Sequence, residues 1–156
     1  MKLHPIISTH DTTKNWCGPA ALAAITGVGT GAAREVCKQA IKEELGRTHR
    51  RLQGIYTDEL LKAVELYSIK WERKYTIPFE KAPSLATALH QFKPAEGNLL
   101  LIFIRSEKHR GHVIVTDGQK IVDNYYPNGV TFWNCTHMES RCCEIFELSD
   151  ITCEDL

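Results

Sequence analysis

The residues of most chemical interest in this sequence of 156 amino acids are a thiol, an imidazole and a carboxylate set far apart along the chain. Cys17 opens the run Cys17-Gly18-Pro19, followed by strong helix formers from Ala20 to Ile25 and a stop at Gly27. Proline is tolerated in a helix's first turn and glycine commonly follows its end, so Cys17 is expected at the mouth of a buried helix. Unpaired amides and the helix dipole favour a thiolate there and draw its pKa below the free value of about 8.5. The plain alternative is a small buried core residue, as most free cysteines are. A reactive thiol needs an imidazole within reach and a third group to orient that imidazole, and both are often distant in sequence.

Seven histidines compete for that role: His4, His10, His49, His90, His109, His112 and His137. His112 stands out. It follows Gly111, begins an apolar run to Thr116, and leads into Asp117-Gly118, a strong short-range hairpin signal. The return run ends in Asp123-Asn124. A two-residue loop would pair Thr116 with Gln119 and, by continuation, His112 with Asp123; a three-residue loop would bring Asn124 opposite instead.

Asn15-Trp16-Cys17-Gly18-Pro19-Ala20-Ala21-Leu22 resembles the nucleophile motif of papain-like cysteine peptidases, in particular the branch that includes the peptidase domains of bacteriocin-processing transporters. Gly111-His112-Val113-Ile114-Val115 followed by Asp123 resembles that branch's histidine strand and aspartate, in the same order. The resemblance spans about Thr9 to Pro127. It implies Cys17 as nucleophile, His112 as general base and then acid, and Asp123 as orienter, attacking an amide or ester carbonyl to give an acyl-enzyme. The sequence departs from the pattern at Asp11, where the family usually places the glutamine that donates to the oxyanion. An ionised carboxylate repels a developing oxyanion, and losing one such donor costs about 10²–10³ in rate. Asn15 is the candidate substitute beside the Cys17 amide, with Thr12 and Thr13 behind it. The departure keeps a catalytically silent binding module in play, beside a transglutaminase-type acyltransferase that would use the same triad.

The elements that must position these groups are readable from periodicity and punctuation. Ala33, Val36, Cys37, Ala40 and Ile41 recur at helical spacing, with Thr30 as a cap and Gly46 as a stop. Thr57-Asp58-Glu59 starts a third helix ahead of Leu60, Leu61, Val64 and Tyr67, and Leu85, Leu89 and Phe92 make a shorter fourth. Ile69, Trp71, Arg73, Tyr75 and Ile77 alternate as a half-exposed strand. Asn98 to Ile104 suits a strand covered on both faces; strands are also expected over His112–Thr116, Lys120–Asp123, Val130–Trp133 and Cys143–Leu148. Helices first and antiparallel strands later predict an α+β, papain-like domain spanning residues 1–156 as one unit.

Composition narrows the function classes. Lys plus Arg and Asp plus Glu each number 19, so no overall field attracts nucleic acid or an anionic membrane. The longest apolar run, Leu99 to Ile104, is far short of a membrane span, and Met1-Lys2-Leu3-His4-Pro5 lacks the apolar stretch of a secretory signal. The expectation is a cytoplasmic protein acting on a peptide or protein, with its six cysteines reduced; nothing in the residues marks an oligomeric state. Cys135, His137, Cys142, Cys143 and Cys153 do not match the paired spacing of zinc sites, so no metal or organic cofactor is required, and a zinc-stabilised interaction domain ranks last. His137 is then read as a surface-turn residue. Arg47-Thr48-His49-Arg50-Arg51 and Lys108-His109-Arg110 read as solvated faces, and Gly27-Val28-Gly29-Thr30-Gly31 follows a helix, unlike a phosphate loop. Tyr125, Tyr126, Phe132 and Trp133 are read as core in preference to groove walls. The favoured function is a thiol-dependent hydrolase of cysteine-peptidase type.

Overall fold

Leu99–Arg105 is an almost unbroken apolar run, which is stable as a strand only when both sheet faces are covered. The computed structural model, which describes residues 1–7, 17–46, 57–106 and 111–155, covers both. Four helices are described: α1 (Cys17–Thr26), α2 (Thr30–Leu45), α3 (Thr57–Leu66) and α4 (Leu85–Gln91). Six strands, β1 (Ile69–Thr76), β2 (Leu99–Arg105), β3 (His112–Thr116), β4 (Lys120–Val122), β5 (Val130–Thr131) and β6 (Arg141–Asp150), form one sheet in the order β1-β6-β2-β3-β4-β5. Every pairing is antiparallel, and the late strand β6 inserts between β1 and β2. The architecture is α+β, with N-terminal helices packed against the sheet that the C-terminal part builds.

The pleat sorts side chains into two cores. Leu99, Leu101, Val113, Val115 and Val122 pack with α1, α2 and α3 on one face. Leu100, Ile102, Ile104, Ile114 and Ile121 pack on the other, with Leu85, Ala88 and Leu89 of α4 and with Cys135 and Cys142. Helix α1 is buried from Gly18 to Ile25, as its all-apolar composition requires. Gly46 ends α2 in the left-handed region at φ 65°, its amide bonded to the Lys42 carbonyl at 2.8 Å. Ser84 caps α4 by accepting the Thr87 amide at 3.2 Å.

Three sequence expectations need correction. Thr30 is the first residue of α2 and Gly29 occupies the cap. The strand expected over 130–133 stops at Thr131, because Phe132–Asn134 turns into a 3₁₀ helix. Trp133 and Tyr125 are not core: both are exposed, whereas Tyr126 and Phe132 are half-buried against the second core.

Phe146 on β6 holds the helical side together. It is fully buried, and Trp71 and Phe103 meet its ring edge-on at centroid distances of 5.6 and 5.9 Å. Replacing it with alanine should cost about 3–5 kcal/mol, the usual range for emptying a buried aromatic site. Urea unfolding reads this directly, and a loss below about 1 kcal/mol would show that the site collapses around the gap.

Candidate functional site

The β3–β4 hairpin delivers the first two site residues. Thr116 pairs with Ile121 and Val115 with Val122, so Asp117, Gly118, Gln119 and Lys120 all lie between the last paired residues. The two-residue loop is therefore corrected. Asp117 does not serve as a tight-turn residue; its Oδ1 accepts the amides of Gln119 and Lys120 at 2.8 and 2.9 Å, while the Thr116 hydroxyl donates to the Lys120 carbonyl at 2.7 Å. Gly118 supplies the positive φ, 95°, that this wider loop needs. The slip from the expected pairing is two residues, which leaves every side chain on its original face.

His112 and Asp123 consequently share a face and touch, His112 Nε2 lying 2.6 Å from Asp123 Oδ2. A second imidazole meets the same oxygen: His137 Nε2 lies 2.8 Å from it. Asp123 Oδ1 accepts the backbone amides of Tyr125 and Tyr126 at 2.9 and 2.8 Å, fixing the carboxylate plane. The three residues are buried, with Asp123 1% exposed and each histidine 8%. Tyr125 lies against both imidazoles, its ring centroid 5.3 Å from that of His112 and 5.6 Å from that of His137. Two imidazole nitrogens and a carboxylate oxygen thus lie within 4.8 Å of one another.

His137 arrives by a route that leaves no local trace in the sequence. The Tyr126 hydroxyl donates to Thr136 Oγ1 and accepts the Thr136 amide, both at 3.0 Å, which pins the 132–138 segment to the loop carrying Asp123. From the other side, the amides of Leu85 and Ala86 donate to the Ser140 and Met138 carbonyls at 2.8 and 3.1 Å, docking the same turn on the start of α4. His137 is therefore buried rather than in a solvated turn, and it binds Asp123 rather than grouping with the late cysteines.

This cluster overturns the expected Cys17–His112–Asp123 triad and, with it, the cysteine-peptidase reading. Among the described residues the group is His112, Asp123 and His137, and no cysteine sulfur belongs to it. The pleat gives the reason. Val113 and Val115 face α1, whose first residue is Cys17, whereas Ile114 and Ile121 face the second core, and alternation puts His112 and Asp123 with them. Nor is the Cys17 thiol activated. Burial pushes its pKa up; hydrogen bonds from the backbone of Val113, Cys17 and Gly18 work against that, the Asp123 charge adds to it, and the net shift is upward. The helix-mouth effect is present and desolvation outweighs it. The transglutaminase-type alternative needs the same sulfur and falls with the triad. Asn124 is half-buried next to Asp123, which is itself the residue that meets His112. Asn15 and Asp11 lie outside the described residues, as do Thr12, Thr13, His10, His49, His109 and both basic patches. Cys17, Cys37, Cys135, Cys142 and Cys143 are free thiols.

Burial alone would raise the Asp123 pKa, but hydrogen bonds from His112, His137 and the Tyr126 amide more than offset it and hold the carboxyl well below the usual carboxylate range. A lowered folded-state pKa stabilises the fold above the unfolded value of about 3.9, and that stability is lost as the pH falls below it. Asp123→Asn should therefore cost about 2 kcal/mol at about pH 7 and measurably less at about pH 3, where the wild type has lost only part of that contribution. Urea midpoints compared at the two pH values test this, and equal losses at both would show that the charge contributes nothing. The raised Cys17 pKa predicts that limiting iodoacetamide at neutral pH labels Cys17 no faster than the half-buried Cys143. Peptide mapping showing Cys17 labelled first, in a His112-dependent way, would contradict it.

No family model matches the chain, and no curated protein matches it either. Among solved structures it is similar to the peptidase domain of Streptococcus ComA, a bi-functional ABC transporter involved in a quorum sensing pathway. The likeness has a TM-score of 0.53 at 15% identity and covers 96% of this chain and 98% of that one. At that identity the similarity is one of fold: the chain has the papain-like architecture of that peptidase domain.

Proposed function

We propose that this chain is a catalytically silent papain-like module that binds a segment of a peptide or protein. The observation that carries the reading is the buried His112–Asp123–His137 cluster, in which the carboxylate is shared by two imidazoles and, among the described residues, no sulfur takes part. A fold whose relative is a peptidase domain is suited to holding a peptide, and that capacity does not depend on a reacting thiol.

A groove of about 760 Å³ between α4, the tip of the β3–β4 hairpin and the 132–138 segment supports the reading. Leu89, Phe132, Trp133 and Met138 give it apolar walls, and His90 and Lys93 add polar groups. Phe132, Trp133 and Met138 come from the same segment that carries His137. Trp133 is 97% exposed, an unusual cost for the largest aromatic side chain. Exposed tryptophans are favoured anchors in recognition, because they bury much area on binding and lose little conformational freedom.

A fluorescence-polarisation screen of short labelled peptides tests this. Peptides that bind the wild type should lose about thirtyfold in affinity with Trp133→Ala, the equivalent of an anchor contributing about 2 kcal/mol. Cys17→Ala should bind them unchanged, and none should be cleaved. Cleavage that disappears in Cys17→Ala would overturn the silent-module reading, and binding indifferent to Trp133 would remove the groove from it.

A further inference from the structure

The buried cluster has the composition and convergence of a cation site. We infer that His112, Asp123 and His137 bind a zinc-class divalent cation through two imidazole Nε2 atoms and one carboxylate oxygen. Both Nε2 atoms already aim at Asp123 Oδ2, at 2.6 and 2.8 Å, and all three atoms lie within 4.8 Å of one another. Zinc ligands sit about 2.0–2.2 Å from the ion, which in a tetrahedral arrangement spaces them about 3.4 Å apart. The two nitrogen–oxygen edges therefore need to open by less than about 1 Å to admit it, within the reach of small ring tilts.

The surroundings fit the same reading. The amides of Tyr125 and Tyr126 hold Oδ1, leaving Oδ2 as a single oriented donor, as outer-shell hydrogen bonds do for ligating carboxylates. Two imidazoles and one carboxylate suit zinc and neighbouring first-row ions; magnesium and calcium prefer all-oxygen shells. A desolvated carboxylate gains more from a doubly charged ion than an exposed one does. Coordination through Nε2 needs its lone pair, so in the ion-bound site each ring carries its proton on Nδ1. Three protein donors leave a fourth position for water, and Tyr125, 55% exposed, meets both rings edge-on. Among the described residues no cysteine takes part, which separates this site from a thiolate zinc site.

Cobalt(II) is the probe, because its spectrum distinguishes nitrogen and oxygen ligands from thiolates. Chelator-treated protein titrated with cobalt(II) should bind one ion per chain, with visible d–d absorption and no sulfur-to-metal charge-transfer band. Zinc(II) should displace the cobalt and raise the Tm. His137→Gln should weaken binding at least tenfold, and Asp123→Asn should do the same. Should Asp123→Asn fail to fold, His137→Gln carries the test. In the wild type, long-range ¹H–¹⁵N spectra should show His112 and His137 moving together to the Nδ1–H tautomer on zinc addition. The absence of saturable binding, a charge-transfer band, or affinity unchanged in His137→Gln would each overturn the site. None of these readouts depends on peptide binding, so the cation site and the binding-module reading stand or fall separately.

Discussion

One carboxylate organises this molecule's distinctive region. Asp123 accepts hydrogen bonds from His112, His137 and the amides of Tyr125 and Tyr126, so it joins the end of β4, the start of β3 and the turn before β6. A buried charge is tolerated only when its lone pairs are satisfied, and here both oxygens are. Four donors around one buried carboxylate fix the position of each element that supplies them. His137 sits where it does because Asp123 offers an acceptor that water cannot easily reach, and Tyr126 and α4 hold its segment in register with that acceptor. Desolvation raises the stakes of each bond, since losing one donor leaves a charge that solvent does not reach.

The two-faced sheet explains why this carboxylate acquired a second histidine instead of serving a thiol. Strands β2 and β3 are apolar on both sides because helices α1 to α3 cover one face and α4 with the 132–138 segment covers the other. Any side chain on β3 must therefore belong to one core or the other. His112 falls with Ile114, and the elements available to meet it on that face are the ones that carry Tyr125, Tyr126 and His137. Helix α1 offers its thiol beside the backbone of Val113, in surroundings that suppress ionisation. Papain-like architecture and thiol chemistry are thus separable here: the fold is set by packing on two faces, whereas the chemistry depends on which face one imidazole occupies.

The elements were legible in the sequence because their signals are local. The stop at Gly46 and the alternation of β1 up to Arg73 each act within a few residues, and all the expected helices among the described residues form; beyond Arg73 a bulge turns Tyr75 to the second core. The hairpin register was not legible, because Asp117 has two uses that look alike in sequence. It tolerates a tight turn, and its carboxylate also captures the next two free amides; the second use won, assisted by the Thr116 hydroxyl. Contact between His112 and Asp123 survived that misreading because a slip of two residues preserves the face. His137 was hidden for a different reason. The late cysteines do not match a zinc spacing, so it reads as a surface-turn residue, while the bonds that place it run through Tyr126 and the first residues of α4, well outside its own segment.

The error over Cys17 is one of magnitude rather than of kind. Helix-mouth amides do stabilise a thiolate, and the backbone of Cys17, Gly18 and Val113 lowers its pKa as that argument requires. The same all-apolar run that identified α1 as buried also removes water from the thiol, and moving a charge out of water costs more than a few partial dipoles return. A thiolate in that position becomes favourable only when a neighbouring cation or imidazolium shares the cost. His112 instead directs its Nε2 to Asp123, and Asp123 contributes a negative charge to the thiol's surroundings. The sequence feature that places a cysteine at a helix mouth therefore carries no catalytic meaning by itself. What gives it meaning is a positive charge that offsets desolvation, and here the charge acting on the thiol is the negative one of Asp123, which adds to the cost of burial.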